Sequence, residues 1–451
     1  MSKGKVGFVS LGCSKNTCDT EVMLKHLLDA GYEITPEETE ADVVIINTCA
    51  FIESAKKESI DNILDIAWLK KHRGLKGIVV AGCMAERYRE QVLDEFPEVD
   101  AALGVGGIHR IVEAVDSILD KDKAAGCRYS YFEGKETSEI GGERIITTGD
   151  HMAYMKISEG CSNRCTYCAI PLIRGRFRSR TIEDLVEEAK SLDSLGIKEL
   201  NLIAQDTTAY GIDLYRRYAI DELIRRICES TRIEWIRLLY CYPDKITDEF
   251  IREVRDNPRV VKYIDLPIQH ISEKVLRKMN RHGGSSVIRD AVKRLRDGIP
   301  GVVLRSTAIV GFPGETEEDF EELCDFIKET RFERFGAFTY SREEDTPAYS
   351  FPGQIDEQVK QDRYDILMRA QLEVSEKYNE TRIGKTYRVF CEGYDAVSGF
   401  HWGRSYAEAA DIDGKIWFNP KKRGLRIAEG EMVDVLITDA MDYDLIGEAA
   451  V

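Results

Sequence analysis

Short, unbroken apolar runs separated by amphipathic stretches constrain this chain more than any other feature. KVGFVSLG, ADVVIINTC and GIVVAGC each precede a helical pattern, in turn DTEVMLKHLLDAG, FIESAKKESIDNILDIAWLKKH and ERYREQVLDEFP. Gly31 and Pro97 supply helix stops. Strands apolar throughout, joined by helical crossovers, predict a parallel sheet covered on both faces. A second series follows, with strands expected at 153–157, 199–206, 235–242, 260–270, 302–312 and 334–341. Its helices TIEDLVEEAKSLDSLG and TEEDFEELCDFIKET begin on a capping Thr followed by acidic residues. Six such strands predict an open, partial (β/α)6 TIM-like barrel, since a full eight-stranded one needs about 250 residues. After a long helix at 356–380 the pattern changes to short strands with Gly and Asp turns: GKTYRVFCEGYD, GRSYAEAAD, GKIWFN, GLRI and EMVDVLITDAMDYDLIGEA. These predict a small all-β barrel or sandwich. The expected class is multidomain α/β, divided into an open parallel α/β domain (1–118), a polar linker containing KETSEIGGERI (119–150), the partial barrel (151–380) and the all-β barrel (381–451).

Composition narrows the function. The formal net charge is −17, which argues against a general nucleic-acid binder, because such proteins carry a basic footprint for phosphates. A protein or small-molecule substrate fits better. No apolar run approaches the length of a membrane span. The opening MSKGKVGFVSLGC reads as a first strand, not a signal peptide, so a cytoplasmic location is expected. Twelve cysteines in 451 residues are too few for a disulfide scaffold and point to metal or redox chemistry where they cluster.

Only Cys161, Cys165 and Cys168 cluster tightly, as C-x3-C-x2-C in EGCSNRCTYCAIP. Three thiolates can hold three corners of a [4Fe-4S] cluster and leave the fourth iron open. That iron can take the amino and carboxylate groups of S-adenosyl-L-methionine, whose reductive cleavage yields a hydrogen-abstracting radical. Structural zinc wants four ligands, often as two CxxC pairs, and no fourth Cys or His lies nearby. Tyr167, between the last two cysteines, has three readings: shielding the cluster, contacting adenine, or packing. The other candidates lie at the carboxyl ends of barrel strands, where such barrels place chemistry: Gln205, Asp206 and Thr207, then Gln269 and His270, then Arg305 and Ser306. GFPGET follows with Gly311, Gly314 and Glu315, whose glycines permit close backbone approach. Asp206 and Glu315 read equally as helix caps.

Cys13, Cys49 and Cys83 look scattered, yet each lies just past an apolar run: FVSLGC, VVIINTC and IVVAGC. Open α/β sheets build sites beyond the carboxyl ends of their strands. One cysteine there is ordinarily a small buried residue. Three on consecutive strands point to one metal centre, with Asn47 and Thr48 donating around it or shaping the turn. A helix beginning after Asn16 would turn Cys18 away, as an accessory or core residue. Cys127, Cys228, Cys241, Cys324 and Cys391 lack partner spacing and are read as structural.

These motifs together resemble the radical S-adenosylmethionine methylthiotransferase family over essentially the whole chain. The three cysteine-bearing strand ends look like its amino-terminal domain. MKISEGCSNRCTYCAIPLIRGRFRSR looks like its radical domain, and the last seventy residues like its TRAM-type recognition barrel. The resemblance implies two [4Fe-4S] clusters, on Cys13, Cys49, Cys83 and on Cys161, Cys165, Cys168. It also implies sulfide or polysulfide carried on the first of these, and insertion of methylated sulfur into a C–H bond. AQDTTAYG, YIDLPIQH, GFPGETEEDF, FTYSREEDTPA and GRSYAEAADIDG resemble the group that β-methylthiolates an aspartate of the twelfth small-subunit ribosomal protein. Sister members that modify tRNA adenosine typically have a Gln-Asn-Val type sequence where this chain has QDTT. A metal-stabilised, non-catalytic ribosome- or RNA-binding module is the third reading. Cys18 stands where the group more often has an apolar residue. The resemblance further implies an external electron donor, a sulfur donor and a basic ribosomal-protein partner, free or within the ribosome, with tRNA disfavoured. Charge agrees: residues 381–451 hold 9 Lys/Arg against 12 Asp/Glu, a net of −3. Tyr387, Trp402, Trp417 and Phe418 are candidate docking anchors. Because all six proposed ligands precede residue 169, the terminal barrel is expected to be dispensable for cofactor cleavage.

Overall fold

The computed structural model describes residues 3–120, 128–422 and 426–450. Its first sheet has six parallel strands: β1 (Lys5–Ser10), β2 (Glu33–Thr35), β3 (Val43–Thr48), β4 (Gly77–Gly82), β5 (Ala101–Leu103) and β6 (Tyr129–Tyr131). They lie in the order β2-β1-β3-β4-β5-β6. Central strands β3 and β4 are buried at every position, which is why they read as unbroken apolar runs. Their registers place Ser10 beside Asn47 and Asn47 beside Ala81, so the carboxyl ends of β1, β3 and β4 are level. Helices α1 (Ser14–Asp29), α2 (Glu53–Arg73) and α3 (Cys83–Tyr88) start from those ends. Helix α1 begins at Ser14, earlier than expected. Cys13 is its extended N-cap residue, and its carbonyl accepts from the amides of Asn16 and Thr17. Strands β2, β5 and β6 escape sequence reading because three residues show no periodicity.

Strand β6 falls in the stretch expected as a linker, and the segment leading from it to the second sheet is packed on α1. The Glu21 carboxylate of α1 pairs with Arg144 and accepts from the Thr147 amide at 2.8 Å. Cys127 lies outside the described residues.

The second sheet begins with β7 (Met152–Lys156). A short antiparallel pair, β8 (Ser158–Glu159) and β9 (Arg178–Ser179), brackets the loop with the cysteine triad. The sheet continues with β10 (Glu199–Ile203), β11 (Trp235–Leu238), β12 (Val260–Asp265), β13 (Val303–Val310) and β14 (Arg334–Thr339). All six are parallel, ordered β14-β13-β12-β11-β10-β7, with the ends unjoined, so the barrel is open. The strands are shorter than expected. Gln205–Thr207, Tyr240–Tyr242 and His270 sit past the ladder, and Gln269 keeps only an isolated bridge to Ala308. One strand face, including Leu200, Leu202, Ile236 and Leu238, packs on the surrounding helices.

The opposite, inner face meets the C-terminal unit. There β15 (Thr386–Asp395), β16 (Phe400–Arg404), β17 (Ile416–Pro420), β18 (Met432–Ala440) and β19 (Leu445–Ala449) close a five-stranded barrel. The expected strand GRSYAEAAD stops at Arg404. Beyond it, Ala407, Ala409 and Ala410 are buried against Met152, Tyr154, Ile203, Val261, Tyr263 and Val303, the inner face of the open barrel. Polar groups on this plug are paired: the Tyr263 hydroxyl donates to Asp413 at 2.7 Å, and Glu408 pairs with Arg334 and Arg382. Glu199, fully buried at the start of β10, binds Arg237 at 2.7 Å and Arg404 at 2.6 Å. This segment of the terminal unit is therefore packed into the inner face of the open barrel. The GLRI strand lies partly outside the described residues, and Arg426 and Ile427 are in no strand. Phe418 is fully buried in the barrel core, so it is no anchor. Trp402 and Trp417 pair across β16 and β17, and Trp417 donates to Asp444 at 2.9 Å.

Candidate active site

Each cysteine of the first triad is set by its own strand end. The Gly12 turn carries Cys13 against Cys49: a Cβ on Gly12 would lie 2.9 Å from Cys49 Cβ and 3.2 Å from its Sγ, and φ is +89°. Asn16 fastens the turns by donating to Leu11 O at 2.9 Å and Thr48 O at 3.0 Å. Asn47 donates to Asn16 O and Thr20 Oγ1, both at 2.9 Å. Thr48 Oγ1 donates to Ala81 O, tying β3 to β4. Ser59 of α2 accepts from the Cys49 amide at 3.0 Å and donates to its carbonyl at 2.9 Å. Asn47 and Thr48 thus shape the crevice and leave the sulfurs free. Desolvation opposes ionisation of the Cys13 thiol, but Lys15 and Arg174 hold it below its ordinary value. Burial raises Cys49, and pushes Cys83 up to about 12 against the pull of Arg174.

The second triad sits in one loop. The Cys168 amide donates to Cys165 O at 3.1 Å, and the Cys161 amide to Gly175 O at 3.1 Å. Gly160, with φ +75°, admits the closure, since a Cβ there would lie 2.2 Å from Arg176 O. The loop is pinned to the barrel by Thr166, whose amide donates to Met279 O and whose carbonyl accepts from Ala348. Burial raises Cys161 to about 11. Arg281 approaches Cys165 Sγ at 4.0 Å, donates to Pro267 O and stacks on Tyr242 at 4.3 Å.

The two triads share a wall. Arg174, six residues after Cys168 and 1% exposed, donates to Glu159 at 2.9 Å, Asp19 at 3.0 Å, Asn16 Oδ1 at 2.5 Å and Cys83 Sγ at 3.5 Å. Lys156 joins Asp19 and Glu159 from β7. Glu159 also accepts from Gln205 at 2.8 Å. Despite burial, Arg174 and Lys156 hold its carboxyl far below the usual range. Sequence reading missed Arg174, Glu159, Lys156 and Arg281. PLIRGR, directly after the triad, carried the only local signal for Arg174.

Both donor sets suit iron–sulfur clusters. Each offers three soft thiols, and cations (Arg174 and Lys15, Arg281 and Lys245) balance a negative core. Cys18 joins neither set. It is buried against Met152 and Tyr154, with Sγ 3.6 Å from Tyr154 O.

The other candidates divide. Gln205 Oε1 is buried without a partner, a free acceptor at the triad's edge. Asp206 caps the Thr207–Ala209 turn and binds Lys245 at 2.9 Å and Asn163 at 2.7 Å, so it braces the triad loop. Arg305 pairs with Asp265 at 2.8 Å and keeps some exposure. Glu315 is spent inside the protein, accepting from Gly311 N, Phe312 N and Arg363. Gly311 and Gly314 make room for Lys360 and Lys278, whose atoms would lie 2.3 Å from an added Cβ. Tyr167 packs beside Val275, Met279, Phe312 and Tyr340. His270 Nε2 is buried 3.6 Å from Glu315, and Ser306 donates to Leu266 O, so both serve the scaffold.

Comparison with known proteins agrees with this architecture. Residues 155–327 match the Radical SAM superfamily, 5–104 the uncharacterized protein family UPF0004, and 383–450 the TRAM domain. The chain is 47% identical over 443 residues to the ribosomal protein uS12 methylthiotransferase RimO of Thermoanaerobacter sp. (strain X514), covering 98% of this chain and 99% of that one. The chain belongs to the radical SAM methylthiotransferase family. A second methylthiotransferase, RimO of Acetivibrio thermocellus, is 46% identical over 449 residues, covering 99% of this chain and 98% of its own. The radical S-adenosylmethionine methyltransferase TsrM of Kitasatospora setae superposes with TM-score 0.55 over 77% of each chain. At 16% identity that likeness establishes a shared fold and no more. Membership of the methylthiotransferases makes this chain a radical SAM enzyme with iron–sulfur chemistry. No helix among the described residues is long and apolar enough to cross a membrane.

Proposed function

We propose that this methylthiotransferase adds a β-methylthio group to an aspartate of ribosomal protein uS12. The observation that carries this reading is the near-complete alignment, at 46–47% identity, with relatives named for uS12. Cys161, Cys165 and Cys168 would hold one [4Fe-4S] cluster, and Cys13, Cys49 and Cys83 a second that carries sulfide or polysulfide. When bound, the first cluster with S-adenosylmethionine supplies hydrogen-atom abstraction, and the second supplies the sulfur to be methylated and transferred. The chain's own side chains position and insulate these groups. Arg174 holds Cys83 and the triad loop in one frame through Asn16, Asp19 and Glu159. Gln205 offers its free amide oxygen, and Arg305 its partly exposed guanidinium, to the S-adenosylmethionine polar groups. The Gly311–Glu315 turn and Tyr167 form the neighbouring wall, with Glu315 acting through backbone it fixes. An external electron donor and a sulfur donor complete the cycle.

The charge of −17 favours a basic protein partner over an RNA backbone. A competition assay tests this: reconstituted enzyme, S-adenosylmethionine, sulfide and dithionite are offered uS12 and tRNA together. The methylthio mass increment should appear on the uS12 aspartate. Labelled tRNA with unlabelled uS12 would move the chain to the adenosine-modifying group.

A further inference from the structure

Lys15 stands two residues after Cys13 in the first turn of α1, and it is 5% exposed. Its ammonium lies 3.0 Å from the centroid of the Tyr240 ring. Among the described residues it makes no hydrogen bond and no ion pair, and the thiol of Cys13 two residues away feels its charge without binding it. The other buried cations around the triads are committed. Arg174 and Lys156 share Asp19 and Glu159, Lys245 binds Asp206 and Asp244, and Arg281 donates to Pro267 O. Tyr240 belongs to the turn past β11, and two residues on, Tyr242 carries Arg281 beside Cys165. That one turn spans from the Cys13 side to the Cys165 side. Lys15 thus sits against the turn whose other tyrosine borders the second triad.

The Lys15 stem is buried, and its ammonium carries no hydrogen bond that an entering anion would have to displace. The first turn of α1 has no acidic residue, so the positive end of a 16-residue helix adds to the same field. We infer that Lys15 is the substrate-carboxylate subsite: its ammonium pairs with the side-chain carboxylate of the aspartate to be modified. This rests on the proposed uS12 reading and sharpens it. The carboxylate is bonded to the reacting β-carbon, so it must enter the gap between the two triads. An adenine base would bring no anion to that position. The Tyr240 ring holds the ammonium in place before the substrate arrives.

Binding in the absence of reductant isolates this contact from turnover. Reconstituted wild-type enzyme and Lys15→Met are titrated with purified uS12 and with uS12 in which the target aspartate is Asn. Wild type should prefer the aspartate form by about thirtyfold or more, the usual scale for one partner of a buried charge pair. Lys15→Met should bind both forms within about threefold of each other, at the wild-type affinity for the Asn form. Lys15→Arg should restore most of the preference. Lys15→Gln replaces the Met variant if that protein fails to take up iron. An undiminished aspartate preference in the neutral variant would overturn the inference. So would an altered cluster spectrum with unchanged discrimination, which would assign Lys15 to the cluster's sulfur. Wild-type enzyme that binds neither form of uS12 would instead sink the uS12 reading itself.

Discussion

The two cysteine triads are held in opposite ways. Cys161, Cys165 and Cys168 share one short loop, shaped by its own turn and closed by Gly160. Cys13, Cys49 and Cys83 come from three strand ends and are held by sheet register and by the side chains of Asn16, Thr48 and Ser59. The first arrangement survives on local chain geometry. The second exists only when three crossovers and a parallel sheet are in place. Arg174 links them, because it is rooted in the loop of one triad and ends on a sulfur of the other. Two centres built so differently should be separable at their ligands and inseparable at that bridge.

The largest effects separate the ligands. Anaerobically reconstituted enzyme should carry about eight irons per chain, and the Ala variant of Cys161, Cys165 and Cys168 about four, with 5′-deoxyadenosine formation lost. The Ala variant of Cys13, Cys49 and Cys83 should also keep about four irons, still form 5′-deoxyadenosine, and transfer no methylthio group. Iron and sulfide assays beside product analysis check both. If the first variant held no iron, the dispersed triad would not be an independent centre.

The bridge should behave otherwise. Arg174→Met leaves Asp19 and Glu159 with Lys156 as their shared cation, at a cost of about 3 kcal/mol. It also removes a cationic donor from Cys83. The thermal midpoint should fall, and in the variant that lacks the radical triad the remaining cluster's potential should become more negative. Arg174→Lys should recover part of both. A normal potential in the Met variant would reduce Arg174 to a packing residue.

That bridge also marks where the sequence stopped being legible. The loop triad was readable because its spacing is local, and the dispersed triad because each cysteine ends an unbroken apolar run. The alternation of strands and helices gave both parallel sheets. Strands β2, β5 and β6 were hidden by brevity. The Ser405–Asp413 plug was hidden because its alanines pack on a sheet more than a hundred residues earlier, and no local period reports that. Arg174 and Lys15 were hidden for the same reason, since their meaning lies in partners from other elements. Glu315 and Gly311 were legible as a turn, but not as a turn that consumes its own carboxylate.

If the plug serves neither triad directly, disturbing it should cost stability and leave iron content alone. Burial opposes ionisation of Glu199, yet Arg404 and Arg237 lower its pKa from the ordinary 4.5 to about 2. A depressed folded value stabilises the fold above the unfolded pKa, and that contribution fades as pH falls through the folded one. Glu199→Gln should therefore cost about 3 kcal/mol near neutral pH. Its deficit against wild type should shrink between about pH 4.5 and 2. Thermal unfolding across that range measures it, with iron near the wild-type level at neutral pH. Loss of four irons in this variant would show that the plug supports a triad after all.

The smallest effect is asked of Cys18, the cysteine closest in sequence to the dispersed triad without belonging to it. Because α1 starts at Ser14, Cys13 stays in the crevice while Cys18, one turn on, faces the inner face of the radical barrel. Its thiol lies 3.6 Å from Tyr154 O and near Arg144, and burial pushes it up to about 12. A neutral thiol in that setting is a small apolar group with a weak donor. Cys18→Ala removes one sulfur from a packed contact between α1 and β7, a loss of about 1 kcal/mol. Both clusters should form, and uS12 should be methylthiolated at the wild-type rate within about twofold. Cys13→Ala is the control and should lose transfer. If Cys18→Ala lost four irons while Cys13→Ala kept eight, the first strand end would have been assigned the wrong sulfur. The contrast between a loop-held and a sheet-held triad would then have to be redrawn with a helix-borne ligand.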